Sequence, residues 1–263
     1  MEMSFASQSK IALGKRLRSC PKVYSLGVKL DPELYPPEHF ELLRQAPQVY
    51  YPTHHYEDVL NAMGKKTFPR NYYHFLGNKI KQTELFTILE IPHPRTQIYY
   101  GRKRREKILR DFEFPFVAKI PVGSSQGRGV FLIKNGNDLD VYLNEAHPAY
   151  IQEYLLFDRD LRVVVIGGEI IHAYWRIGRD GDFRHNVSQG ADISFDDIPE
   201  AALIFALEIA QRCGFDEVGL DICQVNDRFY VLEANMVFGL VGFRLANKDI
   251  HASLCELAMR DAI

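Results

Sequence analysis

The segment 218–235, VGLDICQVNDRFYVLEAN, decides the fold, because it reads as two apolar strands that turn at Asn226-Asp227. Three polar side chains interrupt the apolar pattern, namely Asp221, Glu233 and Asn235. Successive side chains of a strand point to opposite faces of a sheet. Whether the three polar side chains meet therefore depends on the register of the hairpin.

Two registers of this hairpin are open. A three-residue loop pairs Val225 with Phe229, which places Asp221 directly opposite Glu233 and gathers the three polar side chains on one face. A two-residue loop instead pairs Asp221 with Leu232 and sends Glu233 to the other face. The first register predicts one polar cluster on an otherwise buried hairpin.

Two carboxylates placed opposite each other repel, and a hard cation removes that penalty. Two carboxylates and one amide are oxygen ligands that suit Mg²⁺. A solvent-facing acidic hairpin is the alternative, and it is weakened by Phe229 and Val231, which share the acidic face in the first register. The hairpin therefore predicts a magnesium site.

Length and composition restrict the remaining possibilities. The chain has 263 residues, enough for one large domain or two to three small ones, and is 46% apolar and 25% charged. A formal net charge of −2 gives no general attraction to nucleic acid or acidic lipid. No apolar run is long enough to span a membrane, and the first 15 residues lack the apolar stretch of a signal peptide. Four cysteines without CxxC spacing favour a reducing cytoplasm.

The pattern along the chain is that of mixed helices and strands. Residues 1–76 read as a small α/β unit, with strands at 22–28 and 48–51 and helices at 36–46 and 56–64. Helices are further predicted at 78–90 (with Asn78 as N-cap), 101–112, 135–146, 199–214 and from about 248. Strands are predicted at 114–120, 130–134 and 150–155 and as a pair that turns at Gly167-Gly168, and loops at 91–96 and 178–198.

A glycine-rich loop, PVGSSQGRGV at 121–130, lies between two predicted strands. Its backbone N–H groups could cradle an anion, although it matches neither the Walker loop nor the dinucleotide fingerprint. The alternative is an ordinary hairpin tip. Lys119 favours the first interpretation, because it ends the preceding apolar strand and needs a counter-ion there.

Three arginines fall within 23 residues of one another and border apolar strands, namely Arg162, Arg176 and Arg184. Guanidinium groups bind phosphate or carboxylate with paired hydrogen bonds. One arginine alone is more often a surface ion pair, but three together indicate the wall of a site. By contrast, the basic segment at 101–110 has no interleaved aromatic residues, and we interpret it as a solvated helix face.

The order of these features resembles the ATP-grasp superfamily, and within it the alpha-L-glutamate ligases that modify a ribosomal protein. The resemblance covers about 78–245 and is carried by Lys79, Lys119, GSSQGRG (123–129), QEY (152–154), Asp160, Arg162, Arg176, FRHN (183–186), Asp221 and EAN (233–235). It implies an α+β ATP-grasp fold. The domain limits would be a truncated pre-ATP-grasp α/β domain at 1–76, a lid subdomain at 77–153 and a metal-binding subdomain at 154–263.

The resemblance also implies a role for each residue of the site. ATP would be bound by Lys79, Lys119, the lid residues Ser124, Ser125, Gln126 and Gly127, the hinge residues Gln152, Glu153 and Tyr154, the ribose ligand Asp160, and Arg162. Catalysis would use Arg176 at the acyl phosphate and Arg184 and Asn186 at the γ-phosphate. Asp221, Glu233 and Asn235 would hold two Mg²⁺ ions, or Mn²⁺ in their place, with Glu233 bridging them.

The activity implied is an ATP- and Mg²⁺-dependent, ADP-forming carboxylate–amine ligase that works through an acyl phosphate. Its partners would be ATP, a carboxylate donor and an amine acceptor, and neither a membrane nor nucleic acid is expected as a partner. Assembly into a homo-oligomer is left open. The segment NMVFGL (235–240) departs from the Ser-Pro-Gly usual in glutamate ligases, so glutamate is not implied as substrate. A kinase-like ATP-grasp phosphotransferase and a non-catalytic nucleotide-binding module are the alternatives.

Overall fold

The computed structural model describes residues 10–123, 129–178 and 192–263. Over these residues the strands form three sheets, of four, four and five strands, which follow one another along the chain. The described residues contain both helices and largely antiparallel sheets, as the predicted α+β class implies. No helix within the described ranges combines the length and the apolar character needed to cross a membrane.

The first sheet is parallel and belongs to the N-terminal unit. Its elements are β1 (Lys10–Ala12), β2 (Val23–Ser25), α1 (Pro37–Gln45), β3 (Gln48–Tyr50), α2 (Thr53–Ala62) and β4 (Lys66–Phe68), with strand order β2-β1-β3-β4. The sequence predicted β2, β3 and both helices. It missed β1 and β4, because three-residue strands are too short to show an alternating pattern.

The second sheet is antiparallel and has the order β5-β8-β6-β7. The elements in this part of the chain are α3 (Lys79–Ile88), β5 (Thr96–Tyr99), α4 (Arg104–Asp111), β6 (Phe116–Lys119), β7 (Val130–Ile133), α5 (Gly136–Glu145) and β8 (Ala149–Glu153). Helices α4 and α5 cover the sheet through Ile108 and Leu139, both fully buried. Asn78 caps α3 as predicted, since its side chain accepts a hydrogen bond from the Lys81 N–H at 3.1 Å.

The third sheet is antiparallel and has the order β11-β10-β9-β12-β13. Its part of the chain contains β9 (Arg159–Ile166), β10 (Glu169–Ile177), β11 (Asp192–Ser194), α6 (Glu200–Cys213), β12 (Glu217–Val225), β13 (Arg228–Asn235), α7 (Val241–Leu245) and α8 (Ile250–Met259). The prediction of a continuous loop at 178–198 is wrong at β11, which pairs with the end of β10. Helix α6 ends as predicted at Gly214, whose φ of +63° is a left-handed conformation that favours glycine.

The two faces of the third sheet are covered differently. One face packs on α6 and α3, so that Phe86 of α3 joins Leu161 and Ile209 in one core. The other face is covered by α7, α8 and part of the N-terminal unit, which share a core with Val164 and Leu254. Helix α3 therefore packs on the third sheet although it precedes the second. The limits 1–76, 77–153 and 154–263 stay a proposal for the domains.

The hairpin of β12 and β13 combines features of both predicted registers. Its tip is the two-residue loop, because Val225 pairs with Arg228, yet Asp221 still lies opposite Glu233. The register shifts by one residue next to Asp221. Ile222 pairs with Val231 and Asp221 pairs with Glu233, so Leu232 between them is the extra residue of a β-bulge.

The bulge also exchanges the neighbours of the acidic cluster. The predicted places of Phe229 and Val231 on the acidic face are wrong, because both pack into the core beneath the sheet. Leu232, predicted for the apolar face, lines the cleft beside Glu233 instead. Alternation along a strand cannot predict this exchange, because one inserted residue reverses the faces on one side of the bulge.

Candidate active site

A cleft that is open to solvent lies between the second and third sheets. Its polar lining contains most of the predicted site residues in the described part of the chain, namely Lys119, Gln152, Glu153, Tyr154, Asp160, Arg176, Asp221 and Glu233. Its apolar lining was missed by the sequence and consists of Pro94, Val117, Val130, Leu155, Phe157 and Leu232. Val117 could have been found, because it alternates with Lys119 on β6 and so shares its face. Leu232 could not, because only the bulge turns it toward the cleft.

Lys79 and Glu233 form an ion pair at the inner end of the cleft, with Lys79 Nζ 3.1 Å from Glu233 Oε1. The pair is held in place by Gln82, one turn further along α3. The Gln82 amide donates to the Ala234 carbonyl at 2.7 Å and accepts from the Ala234 N–H at 3.2 Å. Gln82 thus satisfies the backbone of an edge strand and fixes the helix that carries Lys79 next to the strand that carries Glu233.

Lys119 ends β6 inside the cleft and is 7% exposed. Its ammonium group lies 3.5 Å from the Leu232 carbonyl. Burial lowers the pKa of Lys119 to about 8, although the nearby Glu233 carboxylate favours the charged form. Lys119 is therefore a buried lysine at the wall of the cleft, and its contact with a phosphate stays a prediction.

Four charged side chains form a buried network across three neighbouring strands of the third sheet. Strand pairing places Arg162 opposite Asp221 and Arg176 opposite Asp160. Arg162 binds both oxygens of Asp221, through Nε to Oδ1 and through Nη2 to Oδ2 at 3.1 Å. Arg176 donates from Nε to Asp160 at 2.6 Å and from Nη2 to Asp221 at 3.0 Å. The Asn235 amide joins the network, 3.1 Å from Asp221 Oδ2.

The two carboxylates of this network respond differently to burial. Burial raises the pKa of Asp160 to about 6, although the Arg176 guanidinium opposes that shift. Burial also acts to raise the pKa of Asp221, but Arg162 and Arg176 together outweigh it and hold that pKa below its usual value. Asp221 is therefore an ionised carboxylate at neutral pH, and Asp160 is engaged by Arg176 at the place predicted for a ribose ligand.

The predicted hinge lies at the end of β8, where the second sheet gives way to the third. The backbone N–H of Glu153 donates to the Arg95 carbonyl at 2.9 Å, and its side chain accepts from the Arg95 N–H at 2.6 Å. Gln152 is buried and donates to Thr96 at 3.0 Å. Tyr154 and Leu155 follow Glu153 along the wall of the cleft, and the contact of this segment with adenine stays a prediction.

Several predicted residues lie outside the described ranges, namely Ser124, Ser125, Gln126, Gly127, Arg184 and Asn186. The first four belong to the segment that joins β6 to β7. These two strands are adjacent and antiparallel, and the N–H of Ile120 donates to the carbonyl of Gly129 at 2.7 Å. The glycine-rich segment therefore starts and ends beside Lys119.

The residues predicted to bind a metal are brought together, and their chemistry suits Mg²⁺. Asp221 and Glu233 lie opposite each other, and the Asn235 amide contacts Asp221. Within the described ranges no three His, Cys, Asp or Glu side chains are grouped as a metal site. The hairpin supplies two carboxylates and an amide instead, which leaves positions for phosphate oxygens and water, the usual companions of protein-bound Mg²⁺.

Comparison with known proteins settles the family. The RimK-like ATP-grasp domain matches residues 77–257, more than two thirds of the chain. The chain belongs to the RimK-like ATP-grasp family. The resemblance to the ATP-grasp superfamily and to its alpha-L-glutamate ligase branch is thereby confirmed. The ATP-grasp domain occupies α3 to α8 and so contains the cleft and every described residue of the site.

Relatives of this RimK-like ATP-grasp protein include two glutamate-related enzymes. Human beta-citrylglutamate synthase B is 29% identical over 178 residues, which are 64% of this chain and 46% of that protein. A probable alpha-L-glutamate ligase of Enterobacter sp. (strain 638) is 35% identical over 155 residues, 56% of this chain and 51% of that one. The chain thus matches about half the length of these curated relatives.

A solved structure confirms the ATP-grasp fold beyond the matched domain. The ligase PsnB, determined with a variant of its minimal precursor, Mg and ADP, superposes with a TM-score of 0.59 at 21% sequence identity. The match covers 83% of this chain and 80% of PsnB. The α+β ATP-grasp fold predicted from the sequence is therefore correct.

Proposed function

We propose that this protein is an ATP- and Mg²⁺-dependent carboxylate–amine ligase that forms an amide or peptide bond and releases ADP. One observation carries the proposal. Seven charged side chains, here called the charge cluster, gather at the wall of the cleft: Lys119, Asp160, Arg176, Asp221 and Glu233 line it, and Lys79 and Arg162 pair with Glu233 and Asp221. Its four cations outnumber its three carboxylates, so the cluster favours an anion such as a polyphosphate.

The residues have separate tasks in the proposed reaction. Lys79, Lys119 and Arg176 hold the phosphates in line with the donor carboxylate and neutralise the charge that develops on the transferred group. The donor carboxylate oxygen attacks the γ-phosphorus, the bond to the β–γ bridging oxygen breaks, and ADP leaves. The amine then attacks the acyl carbon, inorganic phosphate leaves, and one amine proton passes to solvent.

Asp221, Glu233 and Asn235 are the residues that would hold the metal. Bound Mg²⁺ would screen the phosphate oxygens and so lower their repulsion of the attacking carboxylate. The chain's own contribution is that Arg162 and Asn235 hold the Asp221 side chain, while Gln82 of α3 holds the β13 backbone at Ala234, next to Glu233. Such preorganisation reduces the rearrangement that binding requires.

The substrates are proposed only by class. The matched relatives are named for the synthesis of beta-citrylglutamate and for alpha-L-glutamate ligation, and PsnB was determined with a precursor. Each of these names is consistent with an acid donor and an amine acceptor. The segment after Asn235 argues against assuming glutamate here, since Met236 is buried in the core and Phe238 packs against Phe243.

The competing functions differ in what they need besides ATP. We would measure ADP and inorganic phosphate release over a panel of amino acids and short peptides, offered singly and in pairs. ADP release that requires both a carboxylate and an amine supports the ligase. Release with a single acceptor, together with a stable phosphorylated product, would indicate the kinase-like phosphotransferase. Nucleotide binding without ADP release under every condition would indicate the non-catalytic module and refute the proposal.

A further inference from the structure

The Asp221 carboxylate already has four donor contacts in the folded chain. Oδ1 accepts from Arg162 Nε, and Oδ2 accepts from Arg162 Nη2 at 3.1 Å, Arg176 Nη2 at 3.0 Å and Asn235 Nδ2 at 3.1 Å. Each carboxylate oxygen has about two lone-pair positions, so Oδ2 has none left for a cation and Oδ1 keeps one. Because the Asp221 side chain is only 9% exposed and two guanidinium groups lie against it, a cation reaches Oδ2 only if one of these donors leaves.

The donors differ in how readily they can leave. Arg162 grips both oxygens of Asp221 from the neighbouring strand, and that paired geometry is the strongest contact of the group. Asn235 can present its amide oxygen after a rotation of its side chain. Arg176 uses only Nη2 for Asp221, and its Nε bond to Asp160 can persist when the first contact breaks.

Glu233 also pairs with a cation of the protein, through one of its two carboxylate oxygens. Lys79 lies 3.1 Å from its Oε1, and the Lys79 side chain is only 5% exposed. Each carboxylate proposed to bind metal thus holds a buried cation of the protein. Moving either cation away without a replacement anion would leave a poorly compensated buried charge, which costs several kcal/mol in general.

We propose that Arg176 and Lys79 act as exchangeable counter-ions, which exclude a divalent metal from Asp221 and Glu233 until a polyphosphate arrives. The phosphates then accept Arg176 and Lys79 while the metal takes the two carboxylates. Metal and nucleotide consequently enter together, and the free site has little affinity for the metal alone. This inference rests on the proposed function, since it uses the same cleft, but it concerns binding and requires no turnover.

The test is the affinity for Mn²⁺ alone, followed by electron paramagnetic resonance of the free ion during titration of the full chain. We expect Arg176→Gln to bind Mn²⁺ without nucleotide at least tenfold more tightly than the wild type, and Lys79→Gln to show a smaller gain. Arg105→Gln is the matched control, because Arg105 is exposed on α4 and pairs with Asp140 of α5. Its Mn²⁺ affinity should equal that of the wild type.

Lys79→Gln also keeps the test decisive if Arg176→Gln does not fold, as checked by circular dichroism. Unchanged Mn²⁺ affinity in a folded variant at either position, or tight nucleotide-free binding by the wild type, would overturn the inference. A parallel titration with AMPPNP distinguishes the two proposals. If Mn²⁺ binds in the presence of AMPPNP but the variants bind Mn²⁺ alone no more tightly than the wild type, only the counter-ion exchange is refuted. A failure to bind Mn²⁺ even with AMPPNP refutes the proposed function as well.

Discussion

Strand β12 carries two buried carboxylates on the same face, Glu217 and Asp221, four residues apart. Glu217 is fully buried and contacts Arg16 at 2.5 Å and the Tyr51 hydroxyl at 2.7 Å, both from the N-terminal unit. Asp221 is nearly as buried and pairs with two arginines of its own sheet. Each is a buried acid with an arginine partner, yet only Asp221 lines the cleft.

The comparison shows which features of a buried ion pair point to a ligand. Burial raises the pKa of Glu217, because the single guanidinium of Arg16 offsets its desolvation only in part. Arg162 and Arg176 more than offset burial at Asp221 and hold its pKa low. A surplus of cations beside a cleft indicates a binding site, whereas a matched pair between two units of the fold indicates a structural contact.

Glu217→Ala should have the largest effect, and that effect should be on stability. The substitution leaves Arg16 without its carboxylate and removes the acceptor of the Tyr51 hydroxyl, so we expect a loss of about 3 kcal/mol in the free energy of unfolding. Denaturant titration measures this loss. Nucleotide affinity of the folded variant should stay within about twofold of the wild type. A selective loss of nucleotide affinity without destabilisation would contradict the structural role of Glu217.

Glu233→Gln should reduce activity and leave stability nearly unchanged, the opposite of Glu217→Ala. We expect ADP formation to fall by about 10²- to 10³-fold, the usual cost of removing one group that stabilises a transition state by its charge. Because the Glu233 side chain is 25% exposed at the edge of the cleft, the melting temperature should change little. Full activity in this variant would show that Glu233 does not serve the metal, and the proposed site would then have to be abandoned.

The comparison also shows what the sequence could predict. Asp221, Glu233 and Lys119 were found because each interrupts an apolar strand, and a charge in a strand core needs a partner. Glu217 was missed because it lies at the first position of its strand and its partner Arg16 is about 200 residues away in the sequence. The pairing of Asp221 with Glu233 belonged to one of the two registers that the sequence left open. The bulge at Leu232 that produces it was not predicted, because the alternating pattern contains no sign of an extra residue.

Lys119→Ala should weaken nucleotide binding by about 10- to 100-fold, which corresponds to about 1.5–3 kcal/mol for a hydrogen bond to a charged group. The ammonium group lies inside the cleft, 3.5 Å from the Leu232 carbonyl and 5.9 Å from the centre of the Tyr150 ring, so a phosphate would be a stronger partner than either. Isothermal titration with AMPPNP measures the loss. Lys107→Ala, at an exposed position on α4, is the control. Equal affinities in all three proteins would exclude a phosphate contact of Lys119.

The pH dependence of nucleotide binding should be the smallest of these effects. It is also the most specific test of whether Lys119 contacts the nucleotide. Because burial lowers its pKa to about 8, the side chain is charged below that pH and neutral above it. A bound phosphate favours the charged form, so affinity should fall as pH rises through 8, by at most about tenfold per pH unit. The groups facing Lys119 are Glu233, Lys79, Asp221 and Cys223.

Among these neighbours, Asp221 titrates at acidic pH, and burial raises the pKa of the Cys223 thiol to about 12, so neither changes charge near pH 8. The decline should therefore disappear in Lys119→Ala, whose residual affinity should be level from pH 7 to 9. If Lys119→Ala declines as steeply as the wild type, another group is responsible. If nucleotide affinity declines with pH in the wild type alone, the burial of Lys119 at the end of its strand makes the site sensitive to pH. The pair of Glu217 and Arg16 lies away from the cleft and does not have this property.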